Sequence, residues 1–169
     1  KMSNLEEGGS QVAWSSWQPD QLLWPVLEAL AKRIHEPEFA DLSAYLMGRK
    51  EGGVEESLGS ADGLLLAAEI AQVFDRYLSF RPEMVLGWER EETGGDWQAQ
   101  LWRTLCSEMK SEHIAALFSE FQSAIAEGVT VDEKRLPARI CLFGISTLPP
   151  FFLEAFSSLS HIRDVHLFV

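Results

Sequence analysis

The chain has 169 residues, 46% of them hydrophobic and 11% aromatic, and a formal net charge of −12. Such a length suits one domain, or one domain and a piece of another, with enough chain to bury a substantial core; the composition excludes a disordered polymer. The acidic balance excludes nucleic-acid binding through a broad basic face, and no apolar run reaches the ~20 residues of a membrane-spanning helix.

Residues 1–13 are polar, with Gly8-Gly9 and only scattered apolar side chains, and read as a flexible lead-in. The start at Lys1-Met2 and the stop within the apolar run Val165–Val169 read as a fragment of a longer chain. Leu23, Val26, Leu27, Leu30 and Ile34 recur at helical spacing and predict a first helix over 19–35, with Pro19 and Asp20 suited to its first turn. Pro25 falls inside that pattern, where it removes a backbone hydrogen bond at a cost of ~3 kcal/mol. The expectation is therefore a later start, near Leu22, or a kink. Glu36-Pro37 breaks the repeat, and Phe39, Leu42 and Leu46 predict a shorter second helix.

Residues 47–60, rich in Gly, Glu and Lys, read as a mobile loop. From Ser60 the longest helix is expected, with Leu66, Ile70, Val73, Phe74, Tyr77 and Leu78 on one stripe. It should end at Phe80-Arg81, because Pro82 disfavours helix at the residue before it. A further helix over 96–109 carries Trp97, Leu101, Trp102 and Leu105. Ser111 is expected to cap a last one, striped by Ile114, Leu117, Phe118, Phe121 and Ile125 and stopped by Gly128. A polar link over 129–136 follows.

Ile140, Cys141, Leu142 and Phe143 are too few for a helix and read as a strand buried on both faces, ended by Gly144. Pro149-Pro150 cannot continue a strand ladder, but Pro150 suits the first position of a helix carrying Phe151, Phe152, Leu153, Ala155, Phe156 and Leu159. Val165–Val169 then gives a second strand. Strand, helix, strand implies parallel pairing. The fold read here is mainly α. Five or six helices lie between Pro19 and Gly128 in a bundle-like domain over 14–136, followed by a strand–helix–strand unit over 137–169.

Motifs for catalysis are missing from the sequence. There is no Gly-x-x-x-x-Gly-Lys-Ser/Thr phosphate loop, and Ser146 lacks a nucleophile elbow. His35, His113, His161 and His166 lack ligand spacing, so no metal, cofactor or catalytic residue is expected. Cys106 and Cys141 sit in apolar stretches and read as buried free thiols, in keeping with a reducing cytoplasm.

The candidate surface is an aromatic and basic cluster: Arg76, Tyr77, Phe80, Arg81, Trp88, Trp97, Trp102 and Arg103. It admits two readings. Aromatic rings can stack single-stranded bases while arginines meet phosphates, which makes Arg76, Arg81, Trp88 and Arg103 the DNA-binding candidates, with Arg81 foremost. Alternatively, Tyr77, Trp97 and Trp102 are core, since Tyr77 lies on the apolar stripe and Trp97 repeats with Leu101. Lys134, Arg135 and Arg139 read as a solvated linker.

Three blocks carry a family resemblance. The first is Phe74-Asp75-Arg76-Tyr77-Leu78-Ser79-Phe80-Arg81-Pro82 with the following Trp88. The second is Trp97, Gln98, Leu101 and Trp102. The third is the apolar strand with Gly144-Ile145-Ser146 and Leu148-Pro149-Pro150. Together, and in this order, they resemble the gamma subunit of exodeoxyribonuclease V (RecC). The resemblance implies a helical insert within a helicase-like lobe of a large subunit. That subunit scaffolds a complex that processes double-strand DNA ends for recombinational repair. It also implies helicase and nuclease subunits (RecB-like and RecD-like) and single-stranded DNA as partners, with catalysis held by those other subunits. In related helicases the strand corresponding to Ile140–Phe143 ends in acids that hold magnesium. Phe143-Gly144 occupies that position here, so the resemblance implies a degenerate nucleotide site. The alternative is a helical protein-interaction module without DNA contact.

Overall fold

The computed structural model describes residues 16–48, 53–91, 95–128, 136–145 and 147–168. Eight α-helices and two strands are found among them. α1 spans Pro19–Arg33, α2 Ala40–Met47 after a 3-10 turn at Pro37–Phe39, and α3 Val54–Leu58. α4 spans Ala61–Phe80, α5 Pro82–Arg90, α6 Trp97–Glu108 and α7 Ile114–Ala126. β1 (Arg139–Phe143), α8 (Pro150–Leu159) and β2 (Asp164–Phe168) complete the order. The mainly α reading and the parallel pairing of the two strands both hold. None of these helices is long and apolar enough to cross a membrane.

Seven of the helices precede β1, where five or six are expected from the sequence. The surplus has physical causes. Pro82 ends α4 and also opens α5: Arg81 leaves the helical conformation (φ −140°, ψ 47°), and the proline takes the first position, where its missing N–H is not needed. The expected loop over 47–60 contains the single-turn-length helix α3, whose Val54 and Leu58 reach the core. Residues 49–52 of that expectation, and the lead-in over 1–13, lie outside the described residues.

α1 neither starts late nor breaks at Pro25. The carbonyl left without a partner is that of Gln21, an exposed residue with access to water. The buried stripe is Leu22, Val26, Ala29 and Leu30, with Ile34 just past the end, and it lies against α4. Leu23 and Leu27, expected on that stripe, are half-buried instead. The end of α1 is clamped to α6 by Arg33. Its guanidinium donates to the Gln100 carbonyl at 3.1 Å, to Thr104 Oγ1 at 2.8 Å and to Glu36 Oε2 at 2.6 Å, and it lies over the Phe39 ring.

α4 is the central helix, burying Leu66, Ala67, Ile70, Ala71, Phe74 and Leu78. Its N-cap is Ser60, whose hydroxyl accepts the Asp62 amide. Asp96 caps α6 in the same way through Gln98 and Ala99. The cap of α7 is not Ser111, as the sequence suggests, but His113, whose Nδ1 accepts the Ala116 amide at 3.1 Å. Ser111 is occupied elsewhere: its carbonyl accepts Trp17 Nε1–H at 2.7 Å and its hydroxyl meets that of Ser16. Gly128, with φ 73°, closes the last turn as expected, bonding back to Ile125.

The C-terminal unit is less enclosed than a strand buried on both faces. β1 alternates between exposed and half-buried residues, and Cys141, expected to be buried, is exposed. α8 packs on β2 and joins the helical part through Phe151, whose ring meets Phe118 of α7 edge-on at 5.1 Å. The register of the two strands sets Arg139 beside Asp164 at one end and Phe143 beside Phe168 at the other.

Gly63 shows how tightly α3 sits on α4: a Cβ there would lie 2.1 Å from the Leu58 carbonyl oxygen and 2.5 Å from its Cα. Ala is intrinsically better in a helix than Gly by about 1 kcal/mol. Gly63→Ala is nevertheless expected to destabilise the chain by about 1–3 kcal/mol in urea unfolding, because backbone must move to admit the methyl. Equal or greater stability would contradict the contact.

Candidate nucleic-acid interface

The eight-residue aromatic and basic cluster separates into a buried part and an exposed part. Trp102 is fully buried, at 0% exposure. Its ring lies 5.1 Å from Trp17, 5.2 Å from Phe74 and 5.1 Å from His113. Its indole N–H donates to Glu89 Oε1 at 2.9 Å. A ring so enclosed cannot stack on a base, so for Trp102 the core reading is the correct one. Trp97 and Tyr77 are half-buried and pack on the same core, and the Tyr77 hydroxyl donates to Gln98 Oε1 at 2.8 Å.

The four DNA-binding candidates are placed unequally. Arg76 and Arg81 are exposed, on α4 and at its C-terminal corner. The Arg81 guanidinium lies over the Tyr77 ring, 5.9 Å from its centroid. Phe80, the neighbour of Arg81, is 57% exposed. Trp88 on α5 is half-buried, its ring edge-on to Tyr77 at 5.8 Å. Arg103 on α6 is half-buried and donates to the Trp88 carbonyl at 3.1 Å. The corner between α4 and α5 therefore brings Arg81, Tyr77 and Trp88 together, with Arg103 fastened beneath Trp88. Of the second basic group, Arg139 is exposed at the start of β1; Lys134 and Arg135 lie outside the described residues.

Below this surface is a polar constellation that sequence spacing does not reveal. Glu89 of α5, Cys106 of α6 and His113 at the head of α7 bring their side-chain ligand atoms within 4.8 Å of one another. Because His113 Nδ1 accepts the Ala116 amide, the ring proton sits on Nε2, which donates to Glu89 Oε1 at 2.7 Å. A metal would need the Nε2 lone pair and so would shift the proton to Nδ1 and remove the α7 cap. The donor set suits a hydrogen-bonded hub better than a ligand set. Burial and the adjacent Glu89 carboxylate push the Cys106 thiol up. Burial alone would raise Glu89 as well, but the donors His113 and Trp102 outweigh it, and the carboxyl ends below its ordinary value. The residues come from three separate elements, at separations of 17 and 7 positions, so no local motif announces them.

Phe143 and Gly144 lie at the end of β1. Phe143 ends β1 and is 66% exposed, stacked on Phe168 with centroids 4.5 Å apart and planes 7° apart. It is a surface ring here, not a core residue. Gly144 turns with φ 66°, and its amide donates to the Phe168 carbonyl at 3.3 Å. Asp164 pairs with Arg139 at the opposite end of the sheet, four residues and about 13 Å along the strand from Phe143. Glu154 is exposed on α8. Neither supplies a carboxylate at the strand end.

The hub yields a pH dependence with a definite sign. A carboxyl held below its unfolded value adds stability that is present above that value and lost as pH falls through the folded one. Acidification below the ordinary glutamate value of 4.5 should therefore erode stability through Glu89. Asp75, pushed up by burial, acts in the opposite sense. In urea titrations across pH 3–7, Glu89→Gln is expected to flatten the acid slope. His113→Ala should cost roughly 2–4 kcal/mol at pH 7, through the lost cap and a partly buried carboxylate left short of a donor, with part restored in His113→Asn. An unchanged slope in Glu89→Gln would contradict this role.

A family model described as "RecC, N-terminal domain" matches residues 4–169. Curated proteins named RecBCD enzyme subunit RecC are similar along most of the chain. The protein of Haemophilus influenzae is 28% identical, over 88% of this chain and 15% of its own length. That of Mycolicibacterium smegmatis is 29% identical, over 90% and 14%. That of Escherichia coli is 28% identical, over 90% and 14%. The chain thus spans about one-seventh of the length of these relatives. The match over nearly its whole length, with the resembling blocks at the α4–α5 corner, on α6 and around β1, shows that the chain belongs to the RecC N-terminal-domain family.

Proposed function

We propose that these residues are a non-catalytic part of a RecC-type subunit in a helicase and nuclease complex of the exonuclease V kind, acting in double-strand break repair and recombination. The role proposed is twofold: a scaffold for RecB-like and RecD-like partner subunits, and one wall of a channel for single-stranded DNA. The cytoplasm is the compartment that goes with it. On this reading 14–136 is the helical domain, and 137–169 is a strand–helix–strand portion of a helicase-like lobe whose nucleotide site is degenerate. What supports that last point is the end of β1, where Phe143 and Gly144 stand and the nearest sequence acids are elsewhere.

The observation that carries the DNA reading is the α4–α5 corner. Arg76 and Arg81 are exposed cations on an otherwise acidic chain, and the exposed Phe80 ring stands next to Arg81. An aromatic face with a guanidinium beside it is the local chemistry that holds an unpaired base and its phosphate. With so few cations, few phosphates can be neutralised, so binding should be weak and fade as salt rises.

The test is fluorescence anisotropy of a labelled oligo-dT with the whole subunit. Arg81→Ala is expected to weaken binding about threefold or more and to lower the salt slope by about 0.7, the value for one phosphate contact on a single strand. Adding magnesium-ATP should leave both curves unchanged. Equal affinities for wild type and variant would contradict the corner as a DNA contact, and a nucleotide-dependent shift in the subunit alone would contradict the degenerate site.

A further inference from the structure

α1 carries two apolar stripes. One, through Leu22, Val26, Ala29 and Leu30, is buried against α4. The other, Trp24, Leu27 and Ala31, follows the same helical spacing on a different face and opens into a groove of about 430 Å³ whose far wall is Leu58 of α3. Trp24 is 60% exposed there. A Trp left in water along a helical stripe, inside a concavity of ligand size, is the usual anchor of a recognition surface.

The charge of the lining selects the occupant. Glu28 and Glu55 stand in the groove wall, both exposed, with the His35 ring Nε2 3.3 Å from Glu55 Oε1, and the chain as a whole carries a net charge of −12. Lys32, one turn on from Glu28, is turned to Glu108 of α6 at 2.7 Å. An acidic rim around an apolar floor repels phosphate backbones and anionic lipid surfaces alike and attracts lysine and arginine. We infer that the α1–α3 groove docks a basic amphipathic segment of a partner protein, whose apolar anchor covers Trp24 while flanking lysines or arginines meet Glu28 and Glu55. This rests on the reading of the chain as part of a multi-subunit assembly, and names the partner chemistry at one of its surfaces. It shares no residue with the DNA corner.

The experiment places p-benzoylphenylalanine at Trp24 in the whole subunit, co-expressed and purified with its helicase and nuclease partners. After irradiation the cross-linked peptide is sequenced by mass spectrometry. The expected product joins position 24 to a partner segment with an aliphatic or aromatic residue at the cross-link and lysines or arginines within about one helical turn. Glu28→Lys with Glu55→Lys should lower its yield tenfold or more without altering the thermal unfolding of the subunit. Cross-links only to the subunit's own residues, no cross-link in an intact complex, an acidic target, or a yield indifferent to the charge reversal would each overturn the groove while leaving the assembly reading in place. Failure of the subunits to co-purify would overturn both.

Discussion

The buried indole of Trp102 is the contact on which the helical part depends. It receives Trp17 from the segment before α1, Phe74 from α4 and His113 from the head of α7, and it donates its N–H to Glu89 of α5. Four other segments of chain, from residue 17 to residue 113, therefore meet at one side chain of α6. Such a ring contributes its area to the core and also needs a partner for its N–H. Glu89 supplies that partner, and a half-buried carboxylate in turn needs donors, which His113 and Trp102 provide. His113 completes the chain of dependence by capping α7 with its other nitrogen. Apolar packing and polar satisfaction are thus one arrangement, and neither half is replaceable alone.

That dependence explains what could be read from the sequence. Helical stripes on α4 and α6, the stop at Gly128 and the strand–helix–strand order are local patterns, and periodicity finds them. Pro82 was readable as a stop but not as a start, because the same fixed φ serves both. Ser111 reads as a cap because Ser is a favoured capping residue, yet its backbone and hydroxyl are drawn to Trp17 and Ser16, and the histidine two residues on does the capping. Gly63 gives no signal within a helical pattern because its constraint comes from Leu58 across an interface. Of the candidate cluster, spacing alone argues that Tyr77 and Trp97 lean inward. That Arg103 is held by the Trp88 carbonyl while Arg76 and Arg81 face solvent required the fold.

The two ends of the molecule differ in kind. The helices close around Trp102, whereas β1 and β2 present an exposed pair of stacked rings, Phe143 and Phe168, and two strands alone are marginal in water. The attachment through α8 and Phe151 gives this unit a fixed place against α4 and α7. The chain spans about one-seventh of the length of the curated relatives it matches.

Hydrogen exchange read by mass spectrometry on Trp102→Ala tests Trp102 as a shared anchor most directly. If these four segments hang on this ring, amides of α4, α5 and α7 should lose protection together with those of α6. Loss confined to α6, with the other helices protected as in the wild type, would contradict it.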